Sequence, residues 1–251
     1  MVLGASPLAV GLGFYQVAIA VFLPLEGIPV TNLGAILTTV GVTSVVFSIP
    51  FAVLSDRYGR KTWMFTGAFL ASFMTITPGL TSDFLLLEIS AFVGGIAEAM
   101  YLSTWNAYLA DTTSETERPA IFSLSFVTFT VASGVGSFLP AVFPLLPLNL
   151  MEAHQVAFVG LGLVGLATPI SVLRWAVNPK PLRSKQGFLP RKSFGIIAKF
   201  STTNLMIGLG AGLIIPLIPT WLYLRFNVTD VFSGPLIAAS SVVMGLAAIV
   251  S

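Results

Sequence analysis

Three groups of residues in this 251-residue chain carry side chains that could do chemistry. The densest is Asp56-Arg57-Tyr58-Gly59-Arg60-Lys61, one carboxylate and three cations around a glycine. Its chemistry is ion pairing: the carboxylate and guanidinium groups can pair with each other or with neighbouring helix ends, while Gly59 tolerates a positive φ in a tight turn. The second is Glu98, a lone carboxyl inside the run AFVGGIAEAMYLSTW. A carboxyl among apolar neighbours with no cation beside it takes up a proton or contacts a polar ligand. The third is a thin set of polar side chains inside other apolar runs, Tyr15, Gln16 and Asn204, with Tyr101 one turn from Glu98. There is no Cys and a single His, His154. Thiol chemistry, disulfides and Cys/His metal sites are therefore excluded or unsupported, and no cofactor and no nucleic-acid partner is expected. No GxxxxGK[ST] phosphate loop is present either.

The elements that must position these residues lie in a bilayer. Apolar residues make up 55% of the chain and charged residues 9%, with a mean hydropathy of +0.93. A water-soluble domain carries about 25% charged residues, so this composition could not cover a soluble surface. A span needs roughly 20 mostly apolar residues. Eight stretches meet that length: Val2 to Leu25, Leu33 to Leu54, Trp63 to Leu80, Phe84 to Leu109, Ala120 to Pro144, Val156 to Leu173, Phe194 to Leu224, and Val231 to the last residue. The runs are continuously apolar, whereas barrel strands alternate, so the expected class is an all-α polytopic membrane protein with the last segment incomplete.

Charge orients the segments. The connections after the second, fourth and sixth hold 11 Lys and Arg residues, and the opposite side holds only Arg225. By the positive-inside rule those connections and the N-terminus are cytoplasmic, in a multi-pass protein of the cell membrane. The first segment lacks the basic leader and the brevity of a cleavable signal. Trp63 and Trp175 fall near the cytoplasmic boundary and Trp221 and Tyr223 near the outer one, as interfacial aromatics do. His154 falls in the outer stretch LNLMEAHQ and reads as a surface residue, while Glu88 lies about one turn inside the outer end of segment four and reads as a boundary residue. Asn227-Val228-Thr229 is a sequon on the predicted outer side.

The longest cytoplasmic connection, 175–193, is rich in Pro, Lys and Arg and divides the chain into a first unit of six segments, 1–174, and the first two segments of a second, 194–251. It reads as a linker or as a basic loop that fixes topology. The two units are self-similar in parallel. Gly11-Leu12-Gly13 recurs as Gly208-Leu209-Gly210, Val30-Thr31-Asn32 as Val228-Thr229-Asp230, and Gly34 as Gly234, at separations of 197, 198 and 200 residues. A duplicated six-helix unit predicts four further spans after Ser251.

The order Asp-Arg-Tyr-Gly-Arg-Lys between segments two and three resembles the loop motif of the major facilitator superfamily, with Ala52 where that family usually has a leading Gly. A second match is YLADTTSETER, in which Asp111 and Arg118 stand at the cytoplasmic end of segment four. The resemblance covers the whole chain. It implies that Arg60 pairs with Asp111 and that Asp56 braces segment two against a helix of the second lobe, locking one state of an alternating-access cycle. The alternative is that these charges only hold the topology. Two departures stand beside the match: Ala91 occupies the position of an Arg frequent in the family's fourth helix, and GVGSFLP replaces the Gly-Pro motif of many of its antiporters.

The resemblance also implies a cavity lined by the first and fourth helices and their second-lobe counterparts. Gly94, Glu98, Tyr101 and Trp105 share one helical face by spacing. Glu98 is the candidate for proton uptake or solute contact, with Tyr101, Tyr15, Gln16 and Asn204 as further cavity candidates. The alternative for Glu98 is a protonated carboxyl bonded to Tyr101 or a backbone carbonyl as structural glue. Secondary transport of a small solute, coupled to protons, follows from the resemblance; a membrane enzyme with a buried acid, or a non-transporting receptor or scaffold, are the competing classes. In segment seven, Gly208, Gly210 and Gly212 ahead of Pro216 and Pro219 suit close packing or bending.

Overall fold

The computed structural model describes residues 1–177 and 214–250, which are helical apart from short connections. Asn204, the glycines Gly208, Gly210 and Gly212 and nearly all of the basic connection lie outside the described residues. The helices are α1 (Ser6–Leu25), α2 (Val30–Tyr58), α3 (Arg60–Ile76), α4 (Phe84–Thr112), α5 (Arg118–Phe138), α6 (Leu150–Gly165), α7 (Ala167–Trp175), α8 (Ile218–Phe226) and α9 (Asp230–Val250). Among the described residues, six helical stretches are long and apolar enough to cross a membrane. The third expected segment is the 17-residue α3, prolonged by a 3-10 turn over Thr77–Gly79. Segment seven is described only from its end.

Local signals set the boundaries. Gly59, at φ 95°, is the single residue between α2 and α3, so the charged motif is a turn of minimal length. Asp83 caps α4 by accepting from the Leu86 amide at 3.0 Å. Asn149 and Glu152 form a reciprocal capping box that starts α6 at Leu150, six residues before the apolar run begins at Val156. The sixth segment breaks into α6 and α7 at Leu166 because Pro169 has no amide to continue the ladder.

α1 is the most enclosed helix. Between Leu8 and Leu23 it is buried except at Val10 and Leu12, which are half-buried, and Gln16, which is exposed. One core, towards the end of the bundle opposite the charged motif, packs Phe14, Ile19, Phe22, Ile36 and Phe158. A second, at the motif end, packs Leu8, Met64, Tyr101, Trp105 and Val172. Trp63, near the start of α3, is half-buried and packs its ring 5.2 Å from Phe51.

Helix α5 runs between α1 and α9 and touches both through small residues. A methyl group added at Gly13 would overlap the Ser133 carbonyl oxygen, and one at Gly136 the Val10 carbonyl oxygen. On its other side α5 meets Gly234 at the Ser137 carbonyl and Gly245 at Thr130. Gly134 and Gly136 of the GVGSFLP run therefore serve two different interfaces, Gly134 against α9 and Gly136 against α1. Ser137 adds a hydrogen bond from its hydroxyl to the Gly13 carbonyl at 3.0 Å.

Substituting Gly136 by Ala is expected to destabilise the detergent-solubilised protein by about 1–3 kcal/mol, the usual cost of forcing volume into a closed contact. Gly160→Ala, where nothing lies within 4 Å of the added methyl, is the matched control and should change stability by less than about 0.5 kcal/mol. Thermal unfolding of the two variants side by side checks this, and equal losses would show that the α1–α5 contact is not the tight one.

Candidate functional site

At the motif end, Arg60 is the hub. Its side chain is 8% exposed, and its Nε donates to Asp111 Oδ2 at 2.5 Å. Its Nη1 donates to Asp56 Oδ1 at 2.8 Å and to the Ser55 hydroxyl at 3.1 Å. One guanidinium thus ties the end of α2 to the end of α4 from the first residue of α3. Lys61 Nζ donates to the Leu173 carbonyl at 2.6 Å, reaching α7, and Arg118 Nη2 donates to the Ala110 carbonyl at 3.0 Å. Arg57 has an interaction of its own at the end of α2. Asp56 is 52% exposed and Asp111 25%, so the two pairs differ in how far solvent screens them.

Along α4 the polar residues divide between neighbours. Tyr101 stacks on Trp105 with ring centroids 5.8 Å apart, and both are buried against Met64 and Ala68 of α3. Trp105 Nε1 donates to the Ser125 hydroxyl of α5 at 2.9 Å. Glu98 leaves this aromatic face and stands near Ser44 of α2. The Tyr101 hydroxyl and Thr104 Oγ1 are buried and have no hydrogen-bond partner. A Glu98–Tyr101 bond is accordingly absent, and the hydroxyl of Tyr101 stays available for another group.

Glu88 is not a boundary residue. Its Oε1 accepts from the Thr39 hydroxyl of α2, its Oε2 is buried without a partner, and Tyr15 of α1 lies close enough to feel its charge. The carboxyl turns inward because α2 packs closely along α4 there, with Gly95 set against the Val40 carbonyl and Thr43. Tyr15 itself is buried, its ring 6.1 Å from Phe158 in an edge contact, whereas Gln16 in the same turn is exposed. The structure so brings Tyr15 and Glu88 together and keeps Gln16 and Glu98 apart from the aromatic stack.

His154 is likewise corrected. It is fully buried in the second turn of α6, not on a surface loop, and is bonded to Asp230 of α9 at 2.6 Å. The signal that could have placed it was the Asn149-to-Glu152 spacing, a capping box that starts the helix before the apolar run. Nothing in the sequence could join it to Asp230, 76 residues away. Among the described residues no group of three or more His, Cys, Asp or Glu could hold a metal.

A bundle of apolar helices, a one-residue charged turn and isolated carboxyls on the longest buried helix define a multi-pass helical membrane protein. The family model of the Major Facilitator Superfamily matches residues 1–251, and the chain belongs to that family. It is 23% identical over 248 residues to an uncharacterized MFS-type transporter of Methanocaldococcus jannaschii, covering 94% of this chain and 62% of that protein. It is 29% identical over 143 residues to Multidrug resistance protein 1 of Bacillus subtilis, covering 53% and 37% of the two chains. Among solved structures, a bacterial homolog of the human lysosomal transporter Spinster, in an inward-facing and unoccupied conformation, superposes with a TM-score of 0.70 at 18% identity, covering 96% of this chain and 59% of that one. The chain thus spans about three fifths of the length of the relative and of the structure it matches most fully.

The geometry predicts unequal coupling within the motif. A double-mutant cycle between Arg60→Ala and Asp111→Ala should give an interaction of about 1–3 kcal/mol, as for neighbours in one buried network. The Asp56–Arg60 cycle should give less than about 1 kcal/mol, as for a half-exposed pair one helical turn apart. Denaturant or thermal unfolding of the single and double variants measures both, and the reverse order would remove Asp111 as the main partner.

Proposed function

We propose that the protein is a secondary transporter that moves a small solute by alternating access and couples that movement to protons through Glu98. The observation that carries this reading is the position of Glu98 at the middle of α4, with, among the described residues, no Lys or Arg within the interior of any helix. A carboxylate there has no cation to offset the cost of charge in a membrane interior, roughly 2.5–3.5 kcal/mol on insertion scales. A protonated form has no such cost, so the group is suited to bind a proton and release it when water or a solute reaches it.

Gln16, the unbonded hydroxyl of Tyr101 and the Tyr15–Glu88 pair are the groups a polar solute would meet on α1 and α4, with Asn204 of segment seven as the proposed contribution from the second lobe. The Arg60 network is proposed to lock the cytoplasmic ends of α2, α3 and α4 as one rigid unit, with Arg57, Gly59, Lys61 and Arg118 supporting the turn and Asp56 left to brace a second-lobe helix. Residues 1–174 form the first lobe in this reading, 175–193 the linker and 194–251 the start of the second, with the N-terminus cytoplasmic. Among the described residues no group of three or more His, Cys, Asp or Glu could hold a metal beside Glu98.

Reconstituted into liposomes with a trapped pH-sensitive dye, the full-length protein is expected to move protons when one of a panel of small organic solutes is added. Glu98→Gln should abolish that solute-driven proton movement while leaving solute exchange measurable. Unchanged proton movement in Glu98→Gln would remove Glu98 as the coupling group.

A further inference from the structure

At the end of the bundle opposite the charged motif, one ionisable pair joins the first six-segment unit to the helix that follows the basic connection. His154 of α6 and Asp230 of α9 are both fully buried. The imidazole Nδ1 lies 2.7 Å from the Leu150 carbonyl oxygen, and Nε2 lies 2.6 Å from Asp230 Oδ2. The ring stacks on Phe22 of α1 at 5.4 Å and meets the edge of Phe143 at 4.9 Å.

We propose that His154 and Asp230 form a proton-binding site that latches α6 to α9, closed while it holds the proton and released when the proton leaves. The two contacts count the protons. A carbonyl oxygen can only accept, so Nδ1 carries hydrogen. The short approach of Nε2 to a carboxylate oxygen requires a second hydrogen between them, on an imidazolium or on a carboxylic acid. In both forms the pair is neutral overall and holds one proton more than a neutral imidazole beside an ionised carboxylate. Asp230 stands in the first turn of α9, where the helix dipole favours the anion, which places the proton on the ring.

Loss of that proton would set two lone pairs against each other and leave a net negative charge where water is excluded, an arrangement that buried sites do not sustain without a partner. Among the described residues no cation other than His154 pairs with Asp230, whose Oδ1 is buried and unbonded. The other ionisable groups at this end of the packed, described elements are Glu26 at the end of α1, bonded to Ser82 and Gln155, Glu152 in the α6 capping box, and Tyr223 and Arg225 on α8. The 3-10 segment Leu139–Leu145 carries none, and the charges of α3, α5 and α7 lie at their opposite ends. Separation of the helices, which would hydrate both groups, is the relaxed arrangement of the deprotonated pair.

The inference rests on the alternating-access reading only for the purpose of the opening, and its test needs no solute. Nitroxide labels at Leu148→Cys, just before α6, and Phe232→Cys, on α9, sit on exposed residues, and the 251 residues contain no native cysteine. In full-length protein in nanodiscs, double electron–electron resonance is expected to show a short distance at about pH 5 and a growing longer population towards about pH 9, across the range where histidine changes charge. The population ratio should change by up to about tenfold per pH unit for one linked proton, and His154→Gln and Asp230→Asn should each abolish the change. A distance indifferent to pH in the wild type, or a pH response that survives in both variants, overturns the proposal. Should the variants misfold, nitrogen-15 NMR of the wild-type imidazole decides: both ring nitrogens protonated in the short-distance state is expected, and a bare Nε2 beside an ionised Asp230, read from its infrared carboxylate band, overturns it. Loss of solute transport without loss of this response would sink the transport reading alone.

Discussion

The arrangement depends on how closely α5 approaches its two neighbours. In a bilayer the apolar effect that drives helices together in water is absent between them, so contact area, backbone approach and hydrogen bonds decide which helices associate. Gly13 and Gly136 let α1 and α5 cross with backbone oxygens where side chains would otherwise stand; between α5 and α9, Gly234 faces the Ser137 carbonyl oxygen and Gly245 the Thr130 hydroxyl. α5 is thereby the common wall of two interfaces. The first is sealed by a hydrogen bond from Ser137 to the Gly13 carbonyl, whereas the second is set by glycines on both helices, Gly134 on α5 and Gly234 and Gly245 on α9.

The polar interactions fall at the two ends of this framework and differ in kind. At the motif end Arg60 joins α2, α3 and α4, all from one unit, and its partners are partly exposed. Arginine stays charged throughout the accessible pH range, so the cation of this network is fixed. At the far end the pair crosses from α6 to α9 and is fully buried. One polar network thus joins three consecutive helices, and the other joins helices on either side of the basic connection. Thr220 of α8, whose hydroxyl donates to the Ala20 carbonyl at 3.0 Å, adds a neutral bond on the same side as the second network.

Much of this was legible in the sequence, for stated reasons. Continuous apolar runs fix helices and exclude barrels, and the charged turn needs Gly59 to adopt the positive φ it has. The family resemblance rested on the same turn and holds for the whole chain. The errors share a cause. Reading depth from hydropathy places a segment's end where apolar residues stop, yet α6 begins at its capping box before that point, which moved His154 from a loop into the core. Glu88 was set at the interface by its distance from the segment end, whereas its direction is decided by the helix beside it, through Thr39. Position along one helix is readable from sequence; the neighbour that a side chain faces is not.

That distinction bears on the self-similarity between the two units. Val30-Thr31-Asn32 are the first three residues of α2, whereas of Val228-Thr229-Asp230 only Asp230 lies in α9, as its first residue. Asn32 is thus the third residue of its helix and half-buried, while Asp230 opens its helix and is fully buried against His154. Relative to the starts of their helices the two similar triplets are therefore offset by two residues, and similarity along the chain does not carry over into equivalent surroundings. The place of Asp230 at the first residue of α9 is what brings its carboxylate against the imidazole of α6, a contact that no residue of the first triplet makes.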